Sequence, residues 1–160
     1  MSDSALPYTQ ASFLSKAQID YLLSQPLIAR MATVNGDRPH IAPVWFLWDG
    51  NSLFIETDIS FQKAKNLRRN PNCAVVIDDT LGGLRFWGII LHGRVELITE
   101  PQDDVLELVR AIYTKYLGKE GVLAPTPQEM ILKGRHVLIK LTPEKIISWD
   151  DTHTAVAPIG

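Results

Sequence analysis

An antiparallel β-barrel of the α+β class, about six strands with helices at its periphery, is the fold this 160-residue sequence predicts. Three observations point to it. Short apolar runs rich in Val, Ile, Phe and Trp follow one another, joined by the hairpin-forming dipeptides Asn35-Gly36 and Asp49-Gly50. Helical periodicity is confined to a few separate segments between those runs. Hydrophobic residues make up 46% of the chain, enough for one domain that buries roughly two-thirds of its unfolded surface.

Each element has its own signal. Residues 1–14 carry no clear pattern and read as a flexible N-terminal arm. SKAQIDYLLSQ (15–25) reads as a helix, with Ser15 as N-cap and Ile19, Leu22 and Leu23 on one face. LIARMATV (27–34), HIAPVWFLWD (40–49) and SLFIET (52–57) read as a meander of three strands. A helix at 61–70 follows, closed by Pro71. CAVVIDD (73–79) and FWGIILHGRVELI (86–98) are the next strands, separated by a loop at Gly82-Gly83. Gly88 and Gly93 predict a bulge or a close backbone approach. EPQDDVLELVRAIYTKYLG (100–118) is an amphipathic helix with acids in its first turn and Gly118 as its stop. PTPQEMILKG (125–134) adds a helical turn. HVLIKLTPEKIISWD (136–150) is the last strand, bent or placed at an edge by Pro143. The domain therefore spans 15–150, and 151–160 forms a C-terminal tail.

Charge and composition narrow the function. A formal net charge of −2 argues against a nucleic-acid partner, which normally meets a strong basic excess. The single cysteine, Cys73, lies in an apolar run and reads as a buried, inert thiol in a reducing compartment. MSDSALPYTQAS is polar, and no apolar run is long enough to span a bilayer, so a cytoplasmic protein without a membrane partner is expected. The four histidines are scattered without metal-ligand spacing, so no metal site is expected. No G-x-S-x-G elbow is present, and GGLRFWG opens a strand where a dinucleotide fingerprint would open a helix.

Two stretches remain as candidate sites. In ETDISFQKAKNLRRNP (56–71) a strand turns at once into a helix. Ser60 is its expected N-cap and Lys63 stands in its first turn. A helix start has unpaired N–H groups and a partial positive charge. With Thr57, Ser60 and Lys63 beside it, the turn is suited to a phosphate, although an ordinary turn with a solvated lysine has the same pattern. The neighbouring Lys65, Arg68 and Arg69 read as a solvated face. In the second stretch, Pro43-Val44-Trp45-Phe46, the proline removes a ladder donor from mid-strand, which predicts an edge or an opening of the barrel. Freed backbone groups there could bond a planar ligand flanked by Trp45 or Phe46. Alternatively, Val44, Phe46 and Trp48 are barrel core and Trp45 and Leu47 fill the other face.

The order ARMATVNGDRPHIAPVWFLWDG, LFIETD, KAKNLRRNPNCAVVID and HGRVEL resembles the pyridoxamine 5′-phosphate oxidase-like, FMN-binding split-barrel family over roughly residues 20–150. The resemblance implies a six-stranded split barrel and a homodimer holding two FMN molecules in clefts between subunits. It places Pro43 to Phe46 beside the isoalloxazine. It matches Thr57 and Lys63 to the phosphate-binding threonine and lysine, and Asn66-Leu67 to a structural motif. The departures are specific. The family's oxidases carry Ser-Arg-Lys where this chain has Phe61-Gln62-Lys63, leaving Ser60 one position away and no arginine. They also end in an Arg-x-His element, whereas no arginine follows Arg135 here. The expectation is thus an FMN-dependent oxidoreductase of a small-molecule substrate, with NAD(P)H as reductant, outside vitamin B6 oxidation. A deazaflavin is the alternative cofactor, and a carrier or sensor without turnover, or a barrel whose cleft is only dimer core, is the alternative role. His40 is the nearest titratable side chain to the ring strand, and no catalytic residue is assigned.

Overall fold

The computed structural model describes residues 14–80 and 86–151, with the backbone of 8–12; the Gly82-Gly83 loop and the tail from 152 onward lie outside the described residues. Nine strands and four helices follow in the order β1 (Tyr8–Ser12), α1 (Lys16–Ser24), β2 (Ala29–Asn35), β3 (Arg38–Val44), β4 (Phe46–Trp48), β5 (Leu53–Asp58), α2 (Gln62–Arg69), β6 (Asn72–Asp79), β7 (Trp87–Ile98), α3 (Gln102–Gly121), α4 (Pro125–Lys133), β8 (His136–Leu141) and β9 (Lys145–Asp150). The sheet curls into a split barrel in the spatial order β3-β2-β6-β7-β8-β5-β4, with β9 also on β7. All pairings are antiparallel except β1 on β9.

The count of nine corrects the expected six. The predicted strand 40–49 is cut at Trp45 into β3 and β4, and 136–150 is cut at Thr142–Glu144, around Pro143, into β8 and β9. The ninth is β1, in the segment read as a flexible arm. Its sequence YTQAS has no apolar alternation, so pairing with β9 orders it without a hydrophobic signal.

The cut at Trp45 makes the barrel split. β3 and β4 are consecutive in the chain but lie at opposite ends of the sheet order, so one residue crosses the seam. Among the described residues β3 pairs only with β2, so the missing N–H groups of Pro39 and Pro43 fall on an edge strand. Across the β2–β3 hairpin Asn35 faces Arg38, and Gly36 turns the chain at φ 66°, a conformation open to glycine.

β7 is the longest strand. Its first half, Trp87–His92, lies between β6 and β9, while Val95–Ile98 pairs with β8. A Cβ on Gly88 would lie 2.3 Å from the Trp149 ring, so the expected close approach is that of an indole on the strand.

α1 closes one end of the barrel. Ser15 accepts from Gln18 N while Gln18 Oε1 accepts from Ser15 N, forming a capping box. Its Ile19, Leu22 and Leu23 are fully buried with Phe46, Leu53, Ile55, Ile77, Ile89 and Leu91. Each such side chain contributes about 1.5–3 kcal/mol. Cys73 belongs to this core, and burial pushes its thiol up to about 12. A second cluster packs Val105, Val109, Ile112 and Tyr113 of α3 and Ile131 of α4 against Leu138. Gly118 interrupts α3 at φ 76° where the sequence predicts its end. None of the described helices is long and apolar enough to cross a membrane.

Candidate functional site

A cleft of about 530 Å³ opens beside the seam, walled by the end of β3, the end of β5, the start of α2, and α3 and α4. Pro43, Val44, Trp45, Thr57 and Lys63 line it, so both candidate stretches meet although they lie apart in the sequence.

Thr57 reaches the cleft from the last turn of β5. The residue is 2% exposed, and its Oγ1 is buried with no hydrogen-bond partner among the described residues. A buried hydroxyl in that state costs about 1–3 kcal/mol. Lys63, half-buried in the first turn of α2, takes part in no ion pair of the described residues. Burial pushes its pKa below the ordinary lysine value, and the nearby Glu56 charge acts in the opposite sense. Its Nζ lies 4.8 Å from the centroid of the exposed Phe61 ring.

Ser60 does not line the cleft or cap the helix. Its N–H and hydroxyl donate to Asp58 Oδ1 at 2.8 and 2.6 Å, and those bonds with Arg135 hold the Asp58 carboxyl below its usual range. The aspartate two residues earlier draws the serine hydroxyl into donating to its carboxylate, away from the helix N–H groups that a capping oxygen would accept from. α2 starts one residue later, at an N-cap, Phe61, that has no capping side chain. Its first-turn N–H groups therefore receive no side-chain acceptor.

At the seam the two aromatic residues separate. The Phe46 ring is fully buried in the barrel core, as the core alternative expects, and is absent from the cleft wall. Its N–H donates to Tyr116 Oη at 3.2 Å, and its carbonyl accepts from Lys115 Nζ at 3.1 Å. Tyr116 Oη donates in turn to Leu27 O at 2.6 Å. Trp45 lines the cleft with one face stacked on Tyr116 (centroids 4.7 Å, planes 3° apart) and meets Tyr113 edge-on at 5.4 Å. Since Pro43 has no N–H, Val44 is paired with Ala29 in the β2–β3 ladder and the Phe46 N–H is taken, Trp45 is the residue of this stretch that keeps an N–H a ligand could use among the described residues.

The sequence reading missed Glu56, Phe61 and Tyr113, which also line the cleft. Glu56 Oε1 lies 2.8 Å from His136 Nδ1, and His136 Nε2 lies 2.8 Å from Ile131 O. An acceptor beside each ring nitrogen favours the protonated imidazolium, and the Glu56 bond raises its pKa. Nothing in the sequence pairs two residues eighty positions apart. His40, opposite Thr33 in the β2–β3 hairpin, is not in the cleft wall.

The family described as pyridoxamine 5′-phosphate oxidase matches residues 15–150. Solved structures share the fold. A conserved hypothetical protein from Mycobacterium tuberculosis aligns with a TM-score of 0.77 at 21% identity, covering 96% of this chain and 95% of that one. An F420 reductase aligns at 0.62 and 27% identity, covering 79% and 94%. A putative pyridoxamine 5′-phosphate oxidase from Listeria innocua aligns at 0.63 and 25% identity, covering 83% and 96%.

Proposed function

The chain belongs to the pyridoxamine 5′-phosphate oxidase family, and from that membership we propose that it is an FMN-binding flavoprotein, a flavin-dependent oxidoreductase of a small-molecule substrate that works as a homodimer. The observation that carries the reading is Thr57 Oγ1, buried and without a partner among the described residues, in the same cleft as a half-buried lysine that forms no ion pair with them. A phosphate bound there would accept from the Thr57 hydroxyl, from Lys63 Nζ and from the uncapped first turn of α2.

Bound flavin would supply two-electron hydride chemistry, and the chain's part is placement, exclusion of water and electrostatics. Pro43, Val44 and Trp45 would lie against the ring, with the Trp45 N–H available to its polar edge. Tyr116 and Lys115 fix the seam that presents them. The half-exposed Phe61 and Met130, with Ile28 and Leu117, form an apolar rim that a second copy would cover. Vitamin B6 oxidation does not follow from family membership, because Phe61-Gln62-Lys63 stands in place of Ser-Arg-Lys. The likeness to an F420 reductase supports a deazaflavin as the second cofactor reading.

The visible absorption spectrum of the purified protein, with mass identification of the released chromophore, tests the proposal. Flavin bands, a mass equal to FMN and bleaching by NAD(P)H are expected. A colourless protein that refuses FMN and deazaflavin overturns it, and a spectrum that NAD(P)H leaves unchanged would favour a carrier. Sedimentation as a monomer at micromolar concentration would overturn the dimer.

A further inference from the structure

A second cavity of about 390 Å³ adjoins the cleft and shares Glu56, Phe61, Tyr113 and Met130 with it. Two polar groups at this junction lack partners among the described residues. One is the hydroxyl of Tyr113, a side chain only 7% exposed that lines both cavities. The other is the second carboxylate oxygen of Glu56, whose first is held by His136. That hydroxyl opens onto the cavity and has no partner among the described residues, which leaves its donor free for a ligand.

The charges around this cavity are balanced. Glu56 faces His136, Asp58 faces Arg135 at 3.3 Å, and Glu129 faces Lys133 at 2.7 Å. No cation in its wall is left over for an anionic ligand, which would also sit beside the Glu56 carboxylate. Phe61, Tyr113 and Met130 supply faces for a flat, polarisable body. The volume lies at the lower end of small-molecule sites and suits one or two rings.

We propose that this second cavity is the substrate site, and that it takes an uncharged conjugated ring whose carbonyl accepts from the Tyr113 hydroxyl and whose N–H or O–H donates to Glu56. The assignment rests on the cofactor reading of the larger cavity, since it is the shared wall that would bring such a ring beside bound flavin.

Calorimetric titration tests it with two lactam probes, neutral 2-quinolone and its anionic 4-carboxylate, added to FMN-loaded protein. The neutral lactam should bind, and the carboxylate at least ~tenfold more weakly. Tyr113→Phe keeps the ring and removes the donor, so it should weaken the neutral lactam by roughly five- to tenfold. Lys65→Ala, outside both cavities, should leave lactam affinity alone. Equal affinity for the two lactams, no effect of Tyr113→Phe, or displacement of the lactam by FMN overturns the proposal. A protein that takes FMN and refuses the neutral lactam loses this site alone. One that takes the lactam in a Tyr113-dependent way but no flavin loses the cofactor reading and keeps a ligand site.

Discussion

Two lysines, one in the cleft wall and one behind the seam, start from the same condition and end in different ones. Lys63 and Lys115 are both half-buried, and burial lowers the pKa of each, that of Lys115 to about 7. Lys115 is fully engaged: Nζ donates to Leu23 O at 2.8 Å and Phe46 O at 3.1 Å and lies 3.5 Å above the Phe46 ring. Lys63 has the Phe61 face and no hydrogen bond among the described residues. Burial alone therefore does not mark a functional lysine. What separates the two is whether the fold has already used the donors: those of Lys115 hold the seam together, whereas those of Lys63 meet no acceptor among the described residues.

The sharpest way to break that contrast is to remove each lysine and measure both ligand affinity and stability. Lys63→Ala should cost FMN ~1.5–3 kcal/mol, roughly ten- to a hundredfold, while riboflavin, which lacks the phosphate, is hardly affected. Calorimetry with both ligands decides it, and equal losses would move the phosphate elsewhere. The melting temperature should stay nearly unchanged, because no internal hydrogen bond is lost.

Lys115→Met should behave in the opposite way. It keeps the apolar stem but leaves the Leu23 and Phe46 carbonyls unmet, at a cost of about 1–3 kcal/mol at pH 9, where the native amine is neutral. The sign of the pH effect follows from the depressed pKa. Between about 7 and the ordinary value of 10.5 the unfolded chain binds more protons, so wild-type stability rises across that window. The variant should lack this rise, and its deficit in denaturant melts should shrink toward pH 6. A deficit that is constant with pH would mean that Lys115 is charged in the native state throughout.

A smaller effect is expected at His136. Its pKa is raised, so its stabilisation is whole below the ordinary value of 6.5 and fades as pH rises through the raised value. His136→Gln should cost ~1 kcal/mol below pH 6.5 and progressively less above it, as read from urea melts. Lys65→Ala completes the series: it is exposed on another face of α2 and should change neither FMN affinity nor stability measurably.

What could be read from the sequence was whatever is decided locally. The hairpin turns at Gly36 and Gly50 and the N-cap of Ser15 depend on a few adjacent residues and stand where expected, whereas Gly118 breaks α3 at the expected place without ending it. Thr57 and Lys63 were legible for the same reason, as a strand end and a first helical turn six positions apart. Ser60 was misassigned because a cap is a competition, and Asp58 won it. The apolar run 40–49 gave no sign of its cut at Trp45, since a strand that leaves one sheet edge and joins another keeps its composition. Pro43 marked the edge but not the residue where the crossing occurs. Tyr113 looked like one more apolar residue of an amphipathic helix, and only the tertiary arrangement exposes its hydroxyl to a cavity.

The double membership of β7 bears on how the molecule comes apart. Because β6 and β9 flank its first half and β8 adjoins its second, neither side of the barrel can lose this strand without stripping the other. Opening should therefore be all-or-none along β7, and its central amides should exchange with deuterium only through global unfolding. β3, bonded on one edge only, is free to open at a fraction of that free energy. The cleft would then be framed by one strand that breathes and anchored to one that does not, so a ligand could be admitted at the seam without loosening the rest of the sheet.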